Sequence, residues 1–289
     1  NWVQNVAMLG ALGLTVTFAL AGINSVGLFY ILALVALIGT GYTLRKLPHS
    51  FARILATGIL KRRYKVAVVG FENLPRSGAT LLLGNHISWI DWALVQIACP
   101  RPIRFVMLKR IYELWYLKPF FKLFGVVPIA AGQSKESIET INGLLQRGEC
   151  VCLFPEGAIS RNGHLGKFHS GYERMVEGVS DGVIIPFYLH GLWGSSFSRA
   201  EEGLRDARAP STRRDLIVAF GKALPLNTPA EQLKQKVFEL SISAWEGYTA
   251  ALEPLPLAVL RTARRQPGAM AAINSTGEKL TYREFAAAT

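Results

Sequence analysis

The sequence predicts an α/β domain in which helices flank a largely parallel sheet, preceded by a two-helix transmembrane hairpin. The first observation behind this prediction is an apolar start with no Asp, Glu, Lys or Arg before Arg45. The second is the alternation, from Lys65 onward, of short β-rich runs with helical segments. The third is that polar residues directly follow two of the apolar runs, as they do where the carboxyl edge of a sheet forms a site.

Two apolar runs, Val6 to Ile23 and Val26 to Leu44, make up the start of the chain. Each is long enough to cross a bilayer as a helix, which takes roughly 17 to 25 residues. Asn24 and Ser25 leave room only for a tight connection, so residues 1–46 are predicted to form a transmembrane hairpin. A cleaved signal peptide or a buried helical pair is the alternative, but a signal peptide would begin with basic residues. Because the first residue is Asn, the chain is expected to begin inside a longer protein.

A basic linker, residues 47–64, follows the second apolar run. By the positive-inside rule this side of the membrane is cytoplasmic, so the next domain is expected on the cytoplasmic face of the inner membrane. Four apolar residues of the linker recur at helical spacing: Phe51, Ile54, Leu55 and Ile59. The predicted linker helix either lies on the lipid headgroups or packs on the next domain, and the pattern supports both alternatives equally.

Composition limits the possible partners. Half of the residues are hydrophobic, yet the formal net charge is +12, a combination that suits an anionic membrane surface. No nucleic-acid partner is expected, because the sequence has no zinc-finger, RRM-like or basic-zipper pattern. The cysteines Cys99, Cys150 and Cys152 lack the spacing of a disulfide framework or a zinc site. We therefore predict buried, reduced cysteines and no metal site.

Residues 65–253 are predicted to form the α/β domain. One helix is expected over residues 134–147, because its apolar residues share a face and Gly148 follows it, and a second over residues 229–253. Seven runs read as strands, namely residues 65–69, 80–84, 103–107, 126–129, 150–154, 183–188 and 216–220.

A histidine and an aspartate follow the second predicted strand, in the sequence Asn85 to Asp91. Five residues separate His86 from Asp91, and within one helix this spacing would point the two side chains apart. If His86 instead lies in a loop before a helix that begins near Ser88, Asp91 can reach back to the imidazole ring. The carboxylate would then orient the ring while its other nitrogen removes a proton from a hydroxyl, which makes the pair a candidate general base.

A second polar stretch, Phe154 to Gly163, follows the fifth predicted strand. Glu156 is predicted to bind substrate hydroxyls, and Arg161 is predicted to contact a phosphate. A loop with an N-capping acid and a solvated arginine is the simpler interpretation of this stretch taken alone.

Together these stretches resemble the ordered motifs of the glycerolipid acyltransferase family. Asn85, His86 and Asp91 match the Asn-His-x4-Asp block, and residues 154–157 with Ser160 and Arg161 match the Phe-Pro-Glu-Gly block. The run Val183 to Pro186, which leads to Gly191, is similar to the fourth block, and residues 65–250 are covered by the resemblance. Two cationic positions of the family differ, because Ala130 and Ala131 end the second block and Ala158 and Ile159 replace a Thr-Arg pair.

The resemblance implies an enzyme that transfers a fatty acyl group from a thioester to the free hydroxyl of a lysophospholipid, without a tightly bound cofactor. His86 and Asp91 would be its catalytic pair. The implied substrate contacts are Asn85, Lys109, Glu156, Gly157, Ser160, Arg161 and Pro186. Loss of the two cationic positions favours a phosphodiester acceptor, lysophosphatidylethanolamine, over lysophosphatidic acid. The implied donor is acyl-carrier protein loaded with a fatty acid, or acyl-CoA.

The two flanks resemble other families. Residues 254–289 are similar to a linker and the opening of adenylate-forming acyl-activating enzymes, and residues 1–46 to the last two spans of a lysophospholipid transporter. This layout is similar to bifunctional acyltransferases fused to an acyl-carrier-protein synthetase and a transporter, which implies those domains as partners. An acyl-CoA-dependent lysophosphatidic acid acyltransferase and a non-catalytic lipid-transport or scaffold module remain alternatives.

Aromatic and basic residues alternate in the stretch Ile111 to Phe124. Trp and Tyr favour the membrane interface, so this stretch is a candidate entrance that dips into the bilayer. Ordinary packing of the same aromatic residues in the core is the alternative.

Overall fold

A computed structural model describes residues 10, 13, 16, 22, 24–46, 57–60, 62–130, 135–206, 213–250 and 252–288. Helix α1, Ser25–Lys46, covers the second apolar run, and its side chains are described over residues 26–42. Within these described ranges no helix is both long and apolar enough to cross a membrane. The predicted transmembrane hairpin is therefore not found there, and most of its first helix and of the basic linker lies outside the described residues.

One sheet of eight strands forms the centre of the described chain. The strands are β1 (Tyr64–Val69), β2 (Ala79–Gly84), β3 (Ile103–Leu108), β4 (Val127–Ile129), β5 (Cys150–Leu153), β6 (Gly182–His190), β7 (Arg214–Phe220) and β8 (Leu224–Pro225). Their order across the sheet is β1-β7-β6-β2-β5-β3-β4, and β8 pairs with β6.

The sheet is largely parallel, as the sequence predicted. Parallel pairs join β1 to β7, β2 to β5 and β6, and β3 to β4 and β5, whereas β6 runs antiparallel to β7 and β8. Each of the seven predicted strands is present, and their bounds differ from the predicted ones by at most two residues.

Helices cover both faces of this sheet. The flanking helices are α2 (Asp91–Ala98), α3 (Lys109–Tyr112), α4 (Lys118–Leu123), α5 (Lys135–Gln146), α6 (Gly171–Met175), α7 (Glu202–Asp206) and α8 (Ala230–Ala250). A short 3-10 helix, Phe71–Asn73, follows β1. Helices α5 and α8 correspond to the two helices that the apolar periodicity predicted.

The core has two layers because successive residues of a strand face opposite sides of the sheet. On β2, Leu82 packs into the layer that contains α2, whereas Leu81 and Leu83 pack into the layer that contains α5 and α8. The three cysteines form no disulfide with one another and are buried in the layer that contains α2. Burial raises the pKa of the Cys152 thiol well above its usual value, which keeps it an apolar, unreactive group.

A proline occupies the middle of β6, where it would normally disrupt a sheet. On one side β6 pairs with β8 at residues 183–184 and with β7 at residues 187–190. Pro186 lies between these two partners, so its missing N–H breaks no bond on that side. Its carbonyl accepts a hydrogen bond from the amide of Gly221.

The last described segment contains helix α9 (Leu255–Arg265), the antiparallel strands β9 (Met270–Ile273) and β10 (Lys279–Thr281), and helix α10 (Tyr282–Ala288). The predicted capping box is present at the start of α10. The Thr281 hydroxyl and amide donate to a Glu284 carboxylate oxygen, and the Glu284 amide donates to the Thr281 hydroxyl at 3.3 Å.

A glycine at the end of β2 allows that strand to approach β6 closely. A methyl group at Gly84 would lie 2.3 Å from the Phe187 carbonyl oxygen and 2.5 Å from its ring. We therefore expect Gly84→Ala to lower the free energy of unfolding by about 1–3 kcal/mol, measured by chemical denaturation. Gly143→Ala in α5 is the matched control, because its added carbon meets only the Arg147 guanidinium at 3.5 Å. Equal stability of the two variants would contradict this interpretation.

Candidate active site

The candidate site lies at the carboxyl edge of the parallel strands. His86 follows β2, and Glu156 follows β5, the strand that pairs with β2 in parallel. Because both strands end at the same edge, their loops meet there. The two polar stretches that the sequence singled out are therefore neighbours in space, although 70 residues separate His86 from Glu156 along the chain.

Asp91 is the centre of the first loop. It is the first residue of α2 and is fully buried. Its Oδ2 contacts His86 Nδ1 at 2.8 Å and accepts hydrogen bonds from the amides of Ile87 (2.7 Å) and Ser88 (2.9 Å). Its Oδ1 accepts the Ser88 hydroxyl at 2.6 Å. His86 therefore lies in a loop before the helix and Asp91 reaches back to it, which is how the five-residue spacing allows the contact.

The contact with Asp91 determines which nitrogen of His86 is available. A carboxylate only accepts hydrogen bonds, so Nδ1 carries the proton and Nε2 keeps its lone pair. The imidazole stacks on the Phe154 ring, with 4.1 Å between centroids and 13° between planes. The side chain of His86 is 22% exposed, and no residue that the structure describes hydrogen-bonds Nε2. This nitrogen can therefore accept a proton from a bound hydroxyl.

The backbone of His86 is held from the second loop. Its amide donates to Glu156 Oε1 at 2.8 Å, and its carbonyl accepts the amide of Ser160 at 2.8 Å. The other oxygen of Glu156 accepts the Gly166 amide at 3.0 Å. Glu156, predicted to bind substrate, therefore has both carboxylate oxygens on backbone amides and positions the histidine.

Burial raises the pKa of the Glu156 carboxyl, and the two backbone donors partly offset that increase. For an acid whose folded pKa is raised, the stabilising contribution is present below its ordinary pKa and is lost as the pH rises through the folded value. The ionised Glu156 therefore costs stability above that pH, and its amide hydrogen bonds limit this cost. Glu156 is partly buried, and its hydrogen bonds with the amides of His86 and Gly166 join the two loops.

Asn85 was predicted to contact substrate, but its side chain is buried and bonded to the sheet. Its amide group donates to the Leu189 carbonyl at 3.0 Å and accepts the Leu189 amide at 2.7 Å. Pro186, another predicted substrate contact, is buried in the middle of β6. The structure therefore places both of these residues in the scaffold behind His86.

The remaining predicted contacts divide into loop residues and exposed cations. Gly157 adopts a positive φ of 70°, and the Ser160 hydroxyl accepts the Gly163 amide and bonds within its own loop. Arg161 and Lys109 are both exposed, Lys109 at the first position of α3 after β3. No described contact joins either cation to His86.

The positions at which the sequence departs from the cationic pattern of glycerolipid acyltransferases carry apolar residues. Ile159 is 4% exposed and packs inside the fold, while Ala158 is at the surface. Ala130 is half-buried after β4, and Ala131 lies outside the described residues. Among the described residues, no group of three His, Cys, Asp or Glu side chains could hold a metal ion.

Four residues of the site were missing from the sequence prediction. Ser88 is buried and donates to Asp91, Phe154 stacks on His86, Gly166 binds Glu156, and Leu189 binds Asn85. Phe154 had a sequence signal, since it begins the second polar stretch. Gly166 and Leu189 make their contacts through backbone groups, so their residue types do not indicate these contacts.

Comparison with known proteins places this arrangement in a class. Residues 65–190, fewer than half of the chain, match the family model described as Acyltransferase. In structure, the chain is similar to the 1-acyl-sn-glycerophosphate (LPA) acyltransferase PlsC from Thermotoga maritima. The TM-score is 0.57 at 15% identity, over 78% of this chain and 95% of the other, which shows the α/β fold. The family match and the fold support an O-acyltransferase.

Sequence relatives are similar over part of this chain and part of their own length. The chloroplastic 1-acyl-sn-glycerol-3-phosphate acyltransferase LPAT1 of Arabidopsis thaliana is 28% identical, over 55% of this chain and 45% of its own length. A probable 1-acyl-sn-glycerol-3-phosphate acyltransferase of Mycoplasma pneumoniae is 27% identical, over 41% of this chain and 47% of its own. The chain thus spans about half the length of the curated relatives it matches.

Proposed function

We propose that the chain transfers a fatty acyl group from a thioester to the free hydroxyl of a lysophospholipid. The observation that carries this proposal is the buried Asp91 bonded to Nδ1 of a partly exposed His86 at the carboxyl edge of the sheet. Nε2 takes the hydroxyl proton while the oxygen attacks the thioester carbonyl. The new C–O bond forms, the C–S bond breaks, and the departing thiolate takes the proton back from the imidazolium. Asp91 stabilises that imidazolium between the two steps, and no acyl-enzyme forms.

We infer lysophosphatidylethanolamine as the acceptor. A phosphomonoester headgroup carries more negative charge than a phosphodiester and requires more cations around it. Ile159 is apolar and buried where the family has an arginine, and Ala130 ends the second motif without one. The exposed Arg161 and Lys109 remain as candidate phosphate contacts.

We further propose acyl-carrier protein as the donor carrier and the inner membrane as the location. The basic surface implied by the net charge of +12 suits an acidic carrier protein. The resemblance of residues 254–289 to an acyl-activating enzyme supports a fused domain that would load that carrier. The apolar start and its resemblance to a transporter support a bilayer partner and delivery of the lysolipid from the membrane.

Acyl-CoA-dependent acylation of lysophosphatidic acid is the second candidate. It is favoured by the names of the relatives, which are 1-acyl-sn-glycerol-3-phosphate acyltransferases. The difference between the candidates lies in the phosphate contacts and the donor, since both use the same His86 chemistry.

A two-by-two assay separates these candidates. Purified protein is given lysophosphatidylethanolamine or lysophosphatidic acid, each with acyl-carrier protein or acyl-CoA as donor, and His86→Ala gives the background rate. We expect the highest kcat/KM for lysophosphatidylethanolamine with acyl-carrier protein. A preference for lysophosphatidic acid with acyl-CoA would establish the second candidate instead. Absence of turnover in all four combinations would support a non-catalytic module.

A further inference from the structure

Large apolar side chains are exposed in the segment that follows β3. Trp115 is 84% exposed and Tyr116 is 58% exposed, values that are high for such large aromatic residues. We call the following set the aromatic surface: Leu108, Leu114, Trp115, Tyr116, Phe120 and Leu123.

The aromatic surface is anchored to the fold. Phe121 is buried and stacks on Tyr112, with 5.9 Å between centroids. Phe120 packs against Trp92 at 6.2 Å, and Trp92 follows Asp91 on α2. The segment is therefore held directly against the helix that carries the catalytic aspartate, and its exposed residues are displayed by a packed structure.

The aromatic surface lies at the same edge of the sheet as His86. β3 runs parallel to β5, so α3 begins at the edge where the loop of Glu156 begins. Two further exposed aromatic residues, Trp89 and Phe197, lie in the loops after β2 and β6, and β6 pairs with β2 on the side away from β5. The Arg199 guanidinium lies 5.5 Å from the centre of the Trp89 ring. The amide of Trp89 donates to the Phe197 carbonyl, which holds the two loops together. Exposed aromatic residues thus follow strands on both sides of β2, the strand after which His86 lies.

Cations accompany the aromatic surface. Residues 108–124 contain Lys109, Arg110, Lys118 and Lys122 against one acid, Glu113, which pairs with Lys118. Among the described residues, the other three cations form no salt bridge. Trp and Tyr favour the headgroup layer of a membrane, and lysines beside them can extend toward anionic phosphates.

We propose that the aromatic surface docks on an anionic lipid bilayer, with Trp115 and Tyr116 in the headgroup layer and the His86 edge facing the membrane. The charge and the aromatic side chains of this surface both complement anionic lipid. The functional consequence rests on the proposed function, because a lysolipid could then move from the bilayer to His86 without crossing water. The docking itself is independent of catalysis.

The test must report on this surface alone, because the apolar start of the chain could hold the protein to a membrane by itself. The full chain is reconstituted in phosphatidylglycerol vesicles whose acyl chains carry bromine, which quenches nearby tryptophans. The chain has six tryptophans, so Trp115→Phe and Trp245→Phe are compared. Trp245 is 50% exposed on α8 and is the matched control. We expect Trp115→Phe to remove a quenched component that Trp245→Phe retains. Equal quenching of the wild type and Trp115→Phe would overturn the proposal.

A second arm measures turnover and separates failure of this inference from failure of the proposed function. Replacing Trp115 and Tyr116 together by serine should raise the KM for bilayer-presented lysolipid several-fold and leave turnover of a water-soluble short-chain lysolipid unchanged. A parallel loss with both acceptors would contradict docking as the cause. Quenching of Trp115 without any turnover would uphold docking and refute the proposed function. If acyl-carrier protein changes the fluorescence of Trp115 and brominated lipid does not quench it, the surface is a protein interface and the proposal is overturned.

Discussion

Replacement of His86 by alanine is expected to lower the rate of acyl transfer by about 10²–10⁴-fold, the contribution of a positioned general base. The acceptor hydroxyl is a weak nucleophile while it keeps its proton, and Nε2 of His86 is the basic atom that the site presents to it. With alanine the proton has no acceptor at this position, and the thiolate has no proton donor when it leaves. Single-turnover measurements with saturating donor isolate the chemical step from binding.

The His86→Ala protein should remain folded. The side chain is partly exposed, and its backbone contacts to Glu156 and Ser160 do not depend on the imidazole. A similar thermal unfolding temperature would verify this. His164→Ala is the matched control, since His164 is exposed in the adjoining loop and should retain full activity. Turnover of the His86→Ala protein at the wild-type rate would refute the general-base assignment.

Replacement of Asp91 by asparagine is expected to lower acyl transfer by about 10²-fold or more, because the charge that stabilises the imidazolium is lost. The asparagine carbonyl can still accept from His86, Ile87 and Ser88, and its NH₂ group can donate to the Ser88 hydroxyl. The loop should therefore keep its shape. A lower kcat with unchanged unfolding behaviour would separate the catalytic role of the Asp91 charge from the structural role of the side chain.

Asp91→Ala provides the contrast. It removes the acceptor from three buried donors as well as from the histidine, and each unsatisfied donor costs about 1–3 kcal/mol. We expect this variant to be both inactive and less stable, whereas Asp181→Asn at an exposed position should match the wild type in both respects. An active Asp91→Asn protein would show that the carboxylate serves the fold alone.

The sheet could be predicted from sequence because its signals are local. Apolar runs such as residues 80–84 and 216–220 are short, bounded by polar or turn residues, and buried on both faces, so composition alone reveals them. The start of α2 was predicted near Ser88 but lies at Asp91. The carboxylate of Asp91 accepts the amides of residues 87 and 88, which keeps those residues in the loop and delays the helix.

The sequence could not predict which residues of the site act on the substrate and which support the fold. Asn85, Glu156 and Pro186 carry residue types that suit substrate binding, and the sequence offers no signal that their partners are backbone groups. Asn85 bonds to a residue 104 positions away, and Glu156 to one 70 positions away. Such contacts follow from the order of strands in the sheet, which periodicity does not determine. Exposure likewise separated Trp115 from the buried Phe121 within one aromatic stretch.

The side chain of Asn85 also explains how an exposed base can be rigid. Backbone pairing between β2 and β6 ends at Gly84, yet the Asn85 amide bonds to both the N–H and the C=O of Leu189, as another strand residue would. The Asn85 side chain thus takes the place of one further backbone pair of the β2–β6 ladder, at the point where the main chain leaves the sheet. The attachment to β6 therefore extends one residue past the end of β2, and the partly exposed His86 follows directly after this fixed residue.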